Sequence, residues 1–201
     1  MQRLVTFGCS LTQGQCLESS SRTDNSYSKL AWPFLLAKKL NLKCHNAGIN
    51  GSSAKKIWHT IANFEFRDDD IVVVLWTHQD RWCLFTDDGT VDFFPSMVDE
   101  RKLTKQFYTD FYNEIDIMEM YSLFVDHSTK IIRDKGLKIY NLKASTWEYG
   151  LKYTDLPYLK TKMEKIRKQY PRALDGSHPG IEAHEEFASQ VYKEIIELEN
   201  T

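Results

Sequence analysis

The sequence predicts an α/β protein built on a doubly wound parallel sheet, and three observations carry that prediction. Apolar, β-branched runs alternate with helical patterns along the chain, the order that a parallel sheet with crossover helices requires. One run, "DIVVVLWT" from Asp70 to Thr77, is apolar almost throughout, as a strand covered on both faces must be. Polar pieces follow the predicted strands, where doubly wound sheets place their ligands. With 201 residues the chain is long enough for one sizeable core and short for two, so a single domain over 1–201 is expected.

"RLVTFGC" reads as the first strand. "AWPFLLAKKLN" follows as an amphipathic helix, with Trp32, Leu35, Leu36 and Leu40 on one stripe and Pro33 tolerated near its start. "LKCHNAG" gives a short second strand, and Ser52 or Ser53 caps a helix carrying Ile57, Ile61 and Phe64. The apolar run 70–77 is expected at the centre of the sheet. After it, "LFTDDGTVDFFPS" holds an Asp-Gly turn signal between short apolar pieces, which predicts an inserted hairpin or lid-like loop over 84–98. A long helix from about Glu100 to Lys135 should end at Gly136 in a left-handed cap, and "LKIYNLKA" supplies the fourth strand. Residues 145–174 are less regular and form a second candidate lid, with a helix over "LKTKMEKIRKQ" whose basic residues read as a solvated face. A terminal helix closes the chain, with Phe187, Val191, Ile195 and Leu198 on one face.

The charge balance excludes some functions. Lys and Arg number 26 against 28 Asp and Glu, a net charge of −2, so no field is available to hold a polyanion and nucleic acid is not an expected partner. No run approaches a membrane span, and the opening "MQRLVTFGCS" lacks the apolar stretch of a signal peptide. Cys9, Cys16, Cys44 and Cys83 stand at unrelated spacings without a CxxC pair. They read as reduced thiols of a cytoplasmic protein.

Chemistry gathers at the strand ends. In "DGSHPG", Asp175 and His178 are three residues apart, before a helix that Pro179 can begin. A carboxylate so placed accepts from one imidazole nitrogen while the other faces a nucleophile, fixing the tautomer and supporting the imidazolium that forms in acyl transfer. Ser10, in "TFGCSLTQG", is the matching nucleophile: the turn between a strand and a helix exposes its hydroxyl and aims backbone N–H groups at developing negative charge. Taken singly, Ser10 could be a helix cap and His178 a locally bonded helix-start histidine. Cys9 alternates to the other face and belongs in the core. His45, His59, His127 and His184 lack acidic partners at ligand spacing and no HExxH motif occurs, so neither a metal nor another cofactor is expected.

These pieces, in this order, resemble the SGNH (GDSL) hydrolases. Gly8-Cys9-Ser10-Leu11 is similar to their first block, Asn46-Ala47-Gly48-Ile49-Asn50-Gly51 to the second, and Asp175-Gly176-Ser177-His178-Pro179 to the last; "AWPFLLAKKL" resembles the helix that follows block one. The resemblance implies a three-layer α/β/α, flavodoxin-like fold and ester hydrolysis through an acyl-serine. It makes Ser10 the nucleophile, His178 the general base and then acid, and Asp175 its orienter. The oxyanion hole it implies combines the N–H of Ser10, a glycine N–H, best matched by Gly51, and an asparagine side chain from the third block. That block departs from the family: Trp76-Thr77-His78-Gln79-Asp80 stands where Gly-x-Asn-Asp is expected. Gln79 takes the asparagine's place by counting from the strand, with His78 or Thr77 as alternatives. Cys9 stands where the family has an aspartate. Trp76, Thr77, His78, Arg81 and Trp82 flank the expected mouth as substrate-binding candidates. The expected function is therefore a serine esterase or deacylase acting on a small acylated substrate such as an O-acetylated carbohydrate. An O-acyltransferase with the same triad, or an impaired binding scaffold of the same fold, is the alternative.

Overall fold

The computed structural model describes residues 2–21, 26–145 and 158–200. Its centre is a parallel sheet of five strands: β1 (Arg3–Gly8), β2 (Lys43–Gly48), β3 (Ile71–Trp76), β6 (Lys138–Lys143) and β7 (Tyr158–Lys162). They run in the order β2-β1-β3-β6-β7. With the hairpin of β4 (Trp82–Thr86) and β5 (Gly89–Phe93) set aside, this is the flavodoxin-like order 2-1-3-4-5, whose winding reverses between β1 and β3. The run Ile71–Trp76 lies at the middle of the sheet as expected, paired with β1 on one side and β6 on the other.

Side-chain alternation along the strands builds the two outer layers. Leu4, Val73, Leu75 and Leu142 face a core shared with α2 (Trp32–Lys39), α6 (Met163–Ile166) and α7 (Ile181–Glu199). Val5, Phe7, Val72, Val74 and Trp76 face the opposite core, shared with α3 (Ala54–Ala62) and α5 (Glu114–Asp134). The period of two in the strands therefore assigns successive residues to different layers, giving α/β/α. At the base of the sheet, Arg3 grips the buried Asp70 with two hydrogen bonds, Nε to Oδ1 at 2.8 Å and Nη2 to Oδ2 at 2.6 Å. This pair fixes the start of β3 against β1. Burial works against ionisation of Asp70, yet the guanidinium and the Arg67 N–H outweigh it and hold the carboxyl below its usual range.

Several expectations are met locally. Ser53 caps α3, its hydroxyl accepting from Lys56 N–H, and Gly136 follows α5 with φ 74°. The insertion after β3 is a hairpin, β4 (Trp82–Thr86) and β5 (Gly89–Phe93), followed by a 3₁₀ turn at Pro95–Met97.

Four expectations need correction. The long helix over 100–135 is broken into α4 (Lys102–Gln106), a π-helical turn at Phe107–Phe111 and α5. Phe107 stacks on Phe93 of the hairpin, and Tyr108 donates to the carbonyls of Asp80 and Phe93, so tertiary packing overrides helix continuity there. Asn113 then starts α5 by accepting from the N–H groups of Ile115 and Asp116. The second difference is at 159–169, read as helix from sequence: the chain forms strand β7 and only then α6. Leu159 and Thr161 alternate inward, and Glu194 of α7 accepts from the strand N–H groups of Lys160 and Thr161 at 2.5 and 2.8 Å, an arrangement that no local periodicity announces. Third, α7 begins at Ile181 with Gly180 as its cap, so Pro179 precedes the helix and bridges to Arg172 instead. Fourth, Leu198 is exposed beyond the buried stripe Phe187, Val191, Ile195. Of the candidate lid 145–174, residues 146–157 lie outside the described residues.

His184 of α7 is buried, and its Nδ1 accepts the Trp32 N–H that opens α2, at 3.1 Å. Burial and the neighbouring His178 lower its pKa from 6.5 to about 3. The unfolded chain therefore binds a proton that the folded chain refuses. The stabilisation from this group is complete above the unfolded value and is lost as pH falls from about 6.5 toward 3. Between pH 7 and 5 it should remove about 2 kcal/mol. Urea unfolding at the two pH values measures this, and His184→Asn, which keeps an acceptor but cannot be protonated, should shrink the difference.

Candidate active site

β1 ends at Gly8, and the chain turns at once into α1 (Ser10–Gln13). Cys9 caps it with its carbonyl, which accepts from Thr12 and Gln13 N–H at 2.9 and 3.0 Å, while its side chain is fully buried in the core beside α2 and α7. Ser10 is thus the first helical residue, its side chain on the opposite side from Cys9.

The adjoining end of β2 holds α1 in place. Asn46 Nδ2 donates to the Thr12 carbonyl at 2.8 Å, and Asn46 Oδ1 accepts from Gly48 N–H at 2.9 Å. Gly48 has no room for a side chain: a Cβ there would stand 2.7 Å from Gln13 N and 2.9 Å from Thr12 Cβ. The "NAG" segment therefore works as a bracket under the serine turn, a role that sequence reasoning did not assign to Asn46 or Gly48.

The last loop arrives from the other end of the chain. Its base closes through Ala173 N–H to the His178 carbonyl at 2.9 Å and Gly180 N–H to the Pro171 carbonyl at 3.1 Å. It is tied to the first loop by Leu174 N–H donating to the Cys16 carbonyl at 3.1 Å. Gly176 takes φ 70° at the turn, a conformation that disfavours any side chain. Asp175 Oδ1 accepts from the N–H groups of Ser177 and His178, both at 3.0 Å, while Oδ2 accepts from Ser177 Oγ at 2.6 Å. Oδ2 also lies 2.8 Å from His178 Nδ1. Burial opposes the charge on Asp175, but this set of donors outweighs it and holds the carboxyl far below the usual carboxylate range. The fixed anion favours the His178 tautomer that carries hydrogen on Nδ1, leaving Nε2 as acceptor. Nε2 lies 3.1 Å from Ser10 Oγ, across 168 residues of chain. Ser177 was missed as a partner of Asp175, although Asp-Gly-Ser is a recognisable Asx-turn sequence.

The remaining candidates divide. Gly51 sits beside Phe94, whose ring a Cβ on Gly51 would touch at 3.0 Å, and Arg81 lies over the same ring, 5.4 Å from its centroid. Phe94 was not foreseen as a wall of this region. Gln79 and His78 line a cleft of about 280 Å³ with Tyr112, Glu164, Arg167 and Lys168; neither Ser10 nor His178 is among the described residues lining it. His78 Nε2 faces Glu164 Oε1 at 3.3 Å, and Arg167 Nε donates to Glu164 Oε2 at 2.7 Å. Burial again opposes ionisation, but His78 and Arg167 hold Glu164 below its usual range.

Trp76 and Thr77 do not fit the substrate-binding expectation. Trp76 is fully buried, packs edge-on against Tyr121 and donates from Nε1 to Asn141 Oδ1 at 2.9 Å; the β3 alternation sends it into the core. Thr77 is buried as well. Trp82 is only partly buried, but Lys55 and Phe124 occupy its ring, which anchors the hairpin.

Comparison of the structure with solved proteins finds one fold. An acetyl xylan esterase, Est2A, from the rumen bacterium Butyrivibrio proteoclasticus superposes with TM-score 0.64 at 13% identity, over 99% of this chain and 64% of that one. The psychrotrophic esterase EstA from Pseudoalteromonas sp. matches with TM-score 0.59 at 12% identity over 99% of both chains. TesA gives 0.58 at 16% identity, over 98% of this chain and 99% of its own. A lipolytic protein of the G-D-S-L family from Veillonella parvula also matches, with TM-score 0.54. The chain thus has the three-layer α/β/α fold of these esterase and lipolytic structures, the fold its blocks suggested. By sequence, no family model matches it, and no curated protein does.

If Gly48 is where α1 rests, Gly48→Ala must push that turn away. Overpacking of this kind costs about 1–3 kcal/mol. The variant should melt lower than the parent in a thermal scan.

Proposed function

We propose that this protein is a serine ester hydrolase acting on a small acylated substrate. One observation carries the reading: Asp175, His178 and Ser10 form an unbroken series of contacts, 2.8 Å and then 3.1 Å, at the strand ends of a doubly wound sheet. In this reading His178 Nε2 takes the Ser10 proton as Oγ attacks the ester carbonyl. The imidazolium, supported by Asp175, then returns that proton to the leaving alkoxide. Water repeats the sequence on the acyl-serine, and the ionised Asp175 never needs to accept the proton.

The oxyanion would be met by the Ser10 N–H in the first turn of α1, by Gly51 N–H and by a side chain from the loop after β3. Gln79 is the better third donor, because His78 Nε2 is already engaged by Glu164. As substrate class, an O-acetylated carbohydrate is the first to try. Est2A, described as an acetyl xylan esterase, supports that choice through fold likeness alone, and the buried Trp76 gives it no further help. No helix of the described residues is long and apolar enough to cross a membrane, consistent with a small-molecule ester as the partner.

A fluorophosphonate probe should label the protein, with labelling lost in Ser10→Ala and kept in Cys9→Ala. His178→Ala should cut hydrolysis of a short p-nitrophenyl ester by about 10⁴-fold or more while leaving the circular dichroism spectrum unchanged. Undiminished turnover in either Ser10→Ala or His178→Ala removes the reading. For the third donor, Gln79→Ala should lower kcat by about 10²-fold with little change in KM, and His78→Ala should do less. A screen of acetylated sugars against short and long acyl esters then ranks the substrate.

A further inference from the structure

Cys16 has no part in the proposed ester chemistry, yet its thiol lies beside Asp175 and His178. The chain leaves α1 through Gly14 and passes Cys16 in a left-handed conformation, φ 63°, which is unusual for a side chain of any size. The residue is buried, and its carbonyl accepts the Leu174 N–H that ties the first loop to the last. The tie brings the thiol to the catalytic pair: a ligand atom from each of Cys16, Asp175 and His178, the cysteine's being Sγ, lies within 4.8 Å of the other two. A sulfur, an oxygen and a nitrogen donor converge there from positions 159 and 162 residues apart in sequence, beyond the reach of any spacing motif.

We propose that Cys16, Asp175 and His178 form a site for a thiophilic divalent cation of the zinc type, and that filling it switches the hydrolase off. This rests on the reading of His178 as the catalytic base. The donor set suits the ion: zinc takes thiolate, imidazole and carboxylate together in tetrahedral sites, and water completes the fourth position. Bond lengths of about 2.0–2.3 Å place tetrahedral ligand atoms about 3.4–3.6 Å apart, and atoms within 4.8 Å of one another need to draw in by no more than about 1.4 Å. Thiolate also selects against magnesium and calcium, which prefer oxygen ligands.

The loss of activity follows from either ring nitrogen. Zinc on Nε2 uses the lone pair that Ser10 needs. Zinc on Nδ1 displaces Asp175 and leaves the neutral ring's one hydrogen on Nε2, which then faces Ser10 as a donor. In both cases the thiol proton passes to solvent, the metal keeps its charge state and nothing is oxidised or reduced.

Calorimetric titration with zinc chloride should show one site per chain, with affinity at least about tenfold weaker in Cys16→Ala, since even second-shell changes cost 10–100-fold. His178→Ala should weaken binding as well. Cadmium should produce thiolate-to-metal ultraviolet absorption in the parent that Cys16→Ala lacks. Hydrolysis of a p-nitrophenyl ester, normalised to each variant's own metal-free rate, should fall in the parent at the zinc concentration that fills the site. EDTA should restore it, magnesium should have no effect, and the midpoint should rise at least tenfold in Cys16→Ala. Equal zinc affinity in the parent and Cys16→Ala, or cadmium binding without the thiolate band, overturns the proposal, as does full turnover with the site filled. A protein that binds zinc through Cys16 but hydrolyses no ester upholds the metal site and sinks the hydrolase reading, so the two failures are distinguishable.

Discussion

The site depends on one juxtaposition: the loop after the first strand must lie against the loop before the last helix. Nothing near either loop in sequence enforces this. Two hydrogen bonds between the ends of the chain do, one from Leu174 N–H to the Cys16 carbonyl and one from Trp32 N–H to His184 Nδ1. The second opens α2 where it shares a core with α7 through Trp32, Leu36, Phe187 and Val191, and the first lies beside the small cluster of Cys16, Leu17, Ala31 and Ala173. The entropy of closing so long a loop grows only logarithmically with its length, so the 168 residues between Ser10 and His178 are a small obstacle once that core is packed. Apolar burial supplies the driving force, and the two directed bonds set the register.

Electrostatic order at the site follows from satisfaction rather than exposure. Asp175 has a nearly buried carboxylate, a costly state for an unpaired charge. It is tolerable because Ser177 and His178 donate to it from both backbone and side chain within a single turn. His184, a few residues on, shows the opposite solution: buried, with one backbone donor facing it, it stays neutral. Two histidines on the same short stretch therefore have different surroundings, His178 beside a fixed carboxylate and Ser10, and His184 buried against a backbone donor.

How far the sequence disclosed this can be followed residue by residue. The central strand and the hairpin were legible because continuous apolar character and an Asp-Gly turn are local signals. The meeting of Ser10 with His178 was legible only through resemblance in block order, since neither residue's neighbours specify the other. What escaped detection was long-range. β7 reads as a helix because the residue that completes it, Glu194, comes more than thirty positions later. The helix break at Phe107–Phe111 depends on Phe93, and the burial of Trp76 on Asn141 and Tyr121, partners that periodicity does not reveal. The bracket formed by Asn46 and Gly48 was hidden for the same reason: its contacts cross from one strand end to the next turn.

That bracket bears on the most visible departure in the chain, the cysteine before the serine. The side chain of Cys9 is fully buried in the apolar cluster that also holds Leu11, Trp32, Leu75 and Phe187. An aspartate there would have to find hydrogen-bond donors or bear the desolvation cost of its charge. The serine turn is instead held from the neighbouring strand, where Asn46 grips the Thr12 carbonyl and the bare Cα of Gly48 lets α1 settle on the backbone. Ser10 is therefore aimed by steric contact and amide hydrogen bonds, neither of which changes with pH. The replacement that looked like a loss in the first block is compatible with an ordered Ser10, because the ordering is done by the second.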